Sequence, residues 1–299
     1  MCFDTLHLQH QVKNIPIDFV NQKNETLSWL NLKWHPITNK HQYLSCYYTY
    51  IGNLKLVFKG DKIYIKNSLQ CFYMNNNYQS FSYSQVVDAF YKLNQLVPFN
   101  IYEAIVTRLA VGVVIEEDAQ KAYNEWKFYM GKPPKPMYEK NKIYGAKFHL
   151  TDYYIKAYDK TFQVQCKDKI NIGKPYFRYE IDGKTKFFNN RTNDVGITTV
   201  ADLIDKAKYK KLCDILIERY QKIEKEAQID LSQLTLKEMR LVASMRDFNI
   251  KESMRKQYSH TYKKERLKYL NLIRGVDNSD FQNKVFNKLN TQIQYSLNN

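Results

Sequence analysis

Residues 42–69, QYLSCYYTYIGNLKLVFKGDKIYIKNSL, constrain the fold more than any other stretch of the chain. Apolar and polar side chains alternate through three runs, which are joined at Gly52-Asn53 and Gly60-Asp61. Period two sends alternate side chains to opposite faces of a strand. Gly-Asn and Gly-Asp supply the backbone that tight hairpin turns require. These residues therefore predict an antiparallel meander.

The other elements follow from the same periodicities. FDTLHL (residues 3–8) opens a strand, and YSQVVDAFYKLNQL (83–96) predicts a helix capped by Ser82 or Ser84, with Val86, Val87, Phe90, Leu93 and Leu96 as its apolar stripe. AIVTRLAVGVVI (104–115) reads as an apolar strand, and EEDAQKAYNEWKFYM (116–130) as a helix that stops at the loop GKPPKP. KIYGAKFHL, YYIKAYDKTFQV and KPYFRYEID are three further strands. From Thr198 the period becomes helical, with Val200, Leu203, Leu212, Ile215, Leu216 and Tyr220 on one stripe. Thr235 with Glu238 forms a capping-box pattern, and a last helix spans about Lys251 to Arg274. The fold class is α+β, an antiparallel β-sheet core over residues 1–197 followed by a basic helical region over 198–299.

With 299 residues, 44% of them hydrophobic, the chain is long enough to bury a sizeable core. It carries 46 Lys+Arg against 30 Asp+Glu, a formal charge of +16. An excess of that size favours a polyanionic partner, because cations that neutralise phosphates release counterions. The longest apolar run is LAVGVVI, far short of the roughly 18 residues of a membrane helix, and MCFDTLHLQH lacks the layout of a signal peptide. The expectation is a cytoplasmic protein with no membrane partner. Five scattered cysteines without a C-x-x-C pair argue for reduced thiols and against zinc. The 25 tyrosines and 16 phenylalanines offer ring faces for unstacked bases, besides filling a core.

YYIKAYDKTFQV, residues 153–164, carries the chemistry. As a strand it places Tyr154, Lys156, Tyr158, Lys160, Phe162 and Val164 on one face. Tyrosine is a poor nucleophile at neutral pH, with an ordinary pKa of about 10. Cations within about 4 to 6 Å favour the phenolate, and the same cations neutralise a phosphate under attack. Lys156 and Lys160 flank Tyr158 in a way that suits both tasks. The same pattern also suits a solvated edge strand whose lysines discourage aggregation. Tyr154 and Tyr158 would be stacked neighbours on a helix but about 13 Å apart on a strand, and Thr161, Phe162 and Val164 favour the strand. Arg178 and Glu180 in FRYEI share a strand face, so that Arg178 can grip a phosphate or pair with a carboxylate. Lone His149, and His7 with His10, read as structural. Arg255, Lys256, Lys263, Lys264 and Arg266 form a basic side on the last helix, opposite Tyr258, Tyr262, Tyr269 and Leu270, which suits either contacts to duplex DNA phosphates or a solvated charged face.

The order of these pieces resembles the replication-initiation proteins of single-stranded-DNA phages and rolling-circle plasmids, including the nicking protein of filamentous phages. FDTLHL is similar to that family's opening strand, and GNLKLVFKGDKIYIKNSLQCFYMNNN to its hairpin and "G-S-L-x-K-F-x-x-G-N-N" segment. VTRL (106–109) resembles its "T-R-hydrophobic-acid" strand, YIKAYDKTFQ its "Y-x-x-K-x-Y-D-K-x-x-E" motif, YFRYEI its "L-R-F/Y-E" strand, and GITTVADL the helix entry that follows. The resemblance implies a replication initiator that nicks one strand of origin DNA by transesterification. A tyrosine attacks the phosphate, becomes linked to the 5′ end and leaves a 3′ hydroxyl as primer. On that resemblance Tyr158 is the nucleophile, Lys160 its cationic neighbour, Arg108 and Arg178 contact DNA, and Glu180 holds a divalent ion, Mg²⁺ or Mn²⁺, or orients a neighbour. It further implies single- and double-stranded origin DNA, a host helicase and a polymerase as partners in a bacterial cell.

Two positions depart from the pattern. Ala110 stands where the family has an acid after T-R-hydrophobic, and Gln163 where it often has an acid after Y-D-K-x-x. Oxygen ligands are then fewer than the motif supplies, so Glu116, Asp159 or another acid substitutes, or the enzyme is metal-poor or even inactive. Two other readings stay open: a non-catalytic protein that binds an origin or operator, and a single-strand-coating protein whose tyrosines stack bases.

Overall fold

The computed structural model describes residues 2–13, 15–21, 24–29, 31–41, 43–226, 229, 231–276 and 280–299. Along the chain run β1 (Cys2–Gln11), α1 (Ile17–Val20), β2 (Leu27–Trp29), β3 (Leu32–Thr38), β4 (Leu44–Ile51), β5 (Leu54–Lys59), β6 (Lys62–Asn67), α2 (Leu69–Met74) and α3 (Tyr83–Leu96). There follow β7 (Ile105–Glu116), α4 (Ala119–Asn124), β8 (Trp126–Phe128), β9 (Lys135–Glu139), β10 (Lys142–His149), β11 (Tyr153–Asp159), α5 (Lys160–Lys167), β12 (Tyr176–Lys184), α6 (Thr185–Phe188), α7 (Val200–Leu203) and α8 (Lys206–Gln221). The last helices are α9 (Leu236–Arg246), α10 (Phe248–Gln257), α11 (Ser259–Val276) and α12 (Asp280–Asn298).

Eleven strands make one sheet in the order β2-β3-β4-β5-β6-β1-β7-β12-β11-β10-β9. The architecture is α+β, a large antiparallel sheet followed by helices. The meander forms at β4, β5 and β6, and both turn glycines adopt positive φ, Gly52 at 58° and Gly60 at 64°. Only one face of the central strands is apolar. On it Phe3 meets Tyr209 of α8, and Tyr179 meets Tyr220 while its hydroxyl donates to the Leu216 carbonyl. The opposite face carries the charges described below.

The chain divides into two compact units, Met1–Glu224 with Val285–Asn299, and Lys225–Lys284. The first unit thus includes α8, whose Tyr209 and Tyr220 pack against Phe3 and Tyr179 of the sheet. The second unit has its own core of Leu234, Val242, Met245, Tyr262 and Tyr269.

Several local expectations change. Residues 116–130 split into α4 and β8. The helical stretch after Thr198 breaks before α8, where Asp205 caps by accepting from the Lys208 amide. The expected helix from Lys251 to Arg274 breaks at Tyr258, between α10 and α11. The stretch 153–164 is a strand only as far as Asp159. There the Asp159 carboxylate accepts the Phe162 amide at 2.8 Å and starts α5, so a cap overrides the strand preference of Thr161, Phe162 and Val164. Nor is β11 an edge strand, since it lies between β10 and β12. The capping boxes at Ser82 and Thr235 form as their spacing predicts.

Candidate active site

The polar face of β1, β7, β11 and β12 gathers three carboxylates and three cations. Register explains why. Glu180 lies opposite Lys156 and Gly112, Asp182 opposite Tyr154 and Ala110, and Arg178 opposite Tyr158. Period two along β12 therefore lines up Arg178, Glu180 and Asp182 beside Tyr154, Lys156 and Tyr158 of β11. Asp4 joins them through a bulge. Phe3 and Leu6 face residues Val111 and Leu109, so both Asp4 and Thr5 fall in the interval of Ala110. Such a bulge re-aims a side chain, and Asp4 Oδ2 stands 3.2 Å from Arg178 Nη2.

These side chains form a continuous network. Tyr158 donates its hydroxyl to Glu180 Oε2 at 3.2 Å, and Arg178 Nε donates to the same oxygen at 2.8 Å. Lys156 Nζ bridges Glu180 Oε1 at 3.2 Å and Asp182 Oδ2 at 2.6 Å. Arg108 grips Asp182 with two bonds, of 2.8 and 2.7 Å. Asn77 ties a loop to the network, donating to Asp4 Oδ1 at 2.9 Å while its carbonyl accepts from Arg178 Nη1 at 2.9 Å. Two glycines make room. A Cβ at Gly112 would lie 2.7 Å from Glu180 Cβ, and one at Gly145 would lie 2.5 Å from Tyr158 Cβ.

The charges hold one another ionised. Burial pushes the Asp182 carboxyl up, but the bond from Arg108 and the Lys156 ammonium bring it below the usual range. Burial lowers Lys156, and Glu180 and Asp182 outweigh that and raise it. Asp4 is pushed up by burial and drawn down by Arg178, Lys160, Asn77 and Ser68 to about 2.

Lys156 shares the face of Tyr158 as the strand pattern predicts. Lys160 does not; it begins α5, is buried, and donates to Gln163 Oε1 at 2.7 Å. Its charge still reaches Asp4. Tyr158 is only 2% exposed, under Tyr144, whose ring lies 5.8 Å from it and 6.2 Å from Phe162 of α5. Tyr154 is half-buried, stacked on exposed His149 at 4.6 Å. Arg178 is completely buried and held by Asp4 and Glu180, whereas the Arg108 side chain is 39% exposed. In the second unit Arg255 pairs with Glu252, Lys256, Lys263 and Lys264 are exposed, and Arg266 is half-buried. Tyr262 and Tyr269, expected along an apolar side, are core residues there.

The acids expected to hold a metal are not brought together. Glu116 is an exposed residue paired with Lys174 at 2.9 Å, four positions along β7 from Gly112, the partner of Glu180, which is roughly 13 Å away. Asp159 is spent on its cap. Among the described residues no group of three His, Cys, Asp or Glu side chains could hold an ion. All six oxygens of Asp4, Glu180 and Asp182 already face a nitrogen or hydroxyl donor of the chain itself. This donor set fits a divalent ion poorly. Motif spacing singles out neither Asp4 nor Asp182. Asp182 is nevertheless legible as the next period-two residue after Arg178 and Glu180, and it is the acid that stands across from Ala110.

No family model matches the chain, and no curated protein matches it. Among solved structures, a rolling circle replication initiator protein from Geobacillus stearothermophilus is similar at 15% identity. The likeness covers 74% of this chain and 84% of that one, with a TM-score of 0.38, and is a loose one of overall fold. No helix among the described residues is long and apolar enough to cross a membrane.

Proposed function

We propose that the protein is a replication initiator that nicks one strand of origin DNA with Tyr158. The observation that carries this reading is the Tyr158 hydroxyl bonded to Glu180 Oε2 amid Lys156, Arg178 and Arg108. Glu180 takes the phenolic proton as the oxygen attacks phosphorus, Lys156 and Arg108 offset the phosphate charge, and the 3′ oxygen leaves to end as a hydroxyl. Arg178, being buried, positions Glu180 rather than touching DNA. Mg²⁺ or Mn²⁺ has no step in this scheme. For the phosphate to reach Tyr158, the cover of Tyr144 and α5 has to open. Duplex origin binding falls to the basic helices, through Lys263, Lys264 and their neighbours, and recruitment of a host helicase and polymerase follows from the initiator role.

The burial of Tyr158 and the mutual saturation of the carboxylates favour a second reading, an origin- or operator-binding protein that does not nick. Incubation with supercoiled origin DNA and Mn²⁺, followed by mapping of any DNA-linked peptide, separates the two. Tyr158→Phe should abolish covalent attachment and leave DNA affinity within a few-fold, since one oxygen is lost and the ring kept. A label on Tyr154, the more open tyrosine, would move the nucleophile there. Absence of any label with a true origin would favour the second reading.

A further inference from the structure

The polar face of the site does not end at Arg108. Register carries it across the meander in rows: Arg108 lies opposite His7, His7 opposite Lys66, Lys66 opposite Lys55, and Lys55 opposite Tyr50. Four strand steps at about 4.8 Å make this row roughly 19 Å long. The next row holds Gln9, Tyr64, Val57, Tyr48 and His35. Strand alternation puts Leu8, Ile63, Ile65, Leu54, Leu56, Phe58 and Tyr47 on the other face, where all are buried. Every residue of these two rows on the outward face is half-buried or exposed.

Its chemistry is one-sided. Lys33, Lys55, Lys59, Lys62 and Lys66 stand on it, and among the described positions of β3, β4, β5 and β6 on this face there is no carboxylate. The rings are arranged as platforms. Tyr48 has Lys55 Nζ 5.1 Å from its centroid, His35 at 5.5 Å and Tyr50 at 5.9 Å, and Tyr50 is 52% exposed. His7 feels the continuity of the surface: burial first, then Arg108 and Lys66, lower its pKa.

We propose that this face of β3, β4, β5, β6 and β1 holds single-stranded DNA leading to the site at Arg108, with bases on Tyr48, Tyr50 and Tyr64 and phosphates on Lys55 and Lys66. A duplex keeps its bases stacked inside and offers these rings nothing, whereas every unstacked base has a face to lay on them. The surplus of lysine complements the backbone. The proposal rests on the reading of the site above only for where the strand leads; the surface binds whether or not Tyr158 reacts.

The test uses the full chain and fluorescence anisotropy with a labelled single-stranded 20-mer and the duplex of the same sequence. Tyr48→Ala with Tyr64→Ala should weaken single-strand binding roughly 10- to 100-fold and duplex binding less than about threefold. Tyr48→Phe with Tyr64→Phe should retain binding, because stacking needs the ring and not the hydroxyl. Lys55→Ala with Lys66→Ala should flatten the salt dependence by about 0.7 in log–log slope for each phosphate no longer neutralised. Single-strand affinity unchanged in the alanine pair, or duplex affinity lost to the same extent, overturns the proposal. Photocrosslinking of the parent protein to an iodouridine-containing strand gives a readout independent of any folding defect; adducts confined to peptides outside β3 to β6 overturn it as well. Loss of attachment in Tyr158→Phe with unchanged single-strand affinity keeps the two proposals separate, and failure of either leaves the other standing.

Discussion

Asp4→Asn isolates the charge that the β1 bulge brings to the site. The substitution keeps the shape and an acceptor for Asn77 but removes the negative partner of buried Arg178. The Asp4 carboxyl, ordinarily near 3.8, sits at about 2: burial raises it, and Arg178, Lys160, Asn77 and Ser68 more than reverse that. At about 1.4 kcal/mol per pH unit this displacement corresponds to roughly 2 kcal/mol of folding stability. Because the folded-state value is depressed, the contribution is fully present above the unfolded pKa near 4. It disappears as pH falls through about 2. Urea unfolding followed by tryptophan fluorescence is the assay, since Trp29, Trp34 and Trp126 all lie in the first unit and report on it alone. With a urea dependence of about 2–3 kcal/mol per molar, the midpoint at pH 7 should drop by roughly 0.7–1 M. The gap between parent and variant should narrow at pH 3. Equal midpoints at pH 7, or a gap that does not change between pH 7 and pH 3, would refute the idea that an ionised Asp4 stabilises the network.

Two more outcomes are expected. Ala110→Asp buries a carboxylate directly across from Asp182, at a position 1% exposed. Like charges so placed are destabilising, and the urea midpoint should fall; millimolar Mn²⁺ should recover it in the variant and leave the parent unmoved, and no recovery would mean that the two carboxylates do not converge. Replacing Lys263, Lys264 and Arg266 with alanine should reduce the slope of log affinity against log salt for duplex DNA by about 0.9 for each phosphate released from the protein; an unchanged slope places the duplex surface elsewhere.

The site and the fold were legible to different depths. Hairpin glycines, capping boxes and period-two runs act over a few residues, so the meander at β4 to β6, α3 and α9 could be read directly from the chain. The shared face of Arg178 and Glu180, and of Tyr154, Lys156 and Tyr158, is likewise a matter of strand parity. Local propensity misled at Lys160, where one capping carboxylate turned a β-branched run into a helix. It also misled at residues 116–130, where tertiary packing made a helix and a strand from one apolar pattern.

What the sequence by itself determined is the set of strand faces and the surplus of positive charge, because both depend only on side-chain order and composition. Only the tertiary structure decided which faces meet. Asp4 reaches Arg178 across a sequence gap of well over a hundred residues, by way of a bulge that no residue of β1 announces. Glu180 and Tyr158 come close to β7 and β10 because Gly112 and Gly145 lack a Cβ, which matters only once a partner strand lies alongside. In the sequence Tyr158 reads either as a nucleophile flanked by two lysines or as part of a solvated edge strand. Its burial follows from β11 being the inner strand of a sheet and from α5 folding back beside it, and both are properties of long-range pairing.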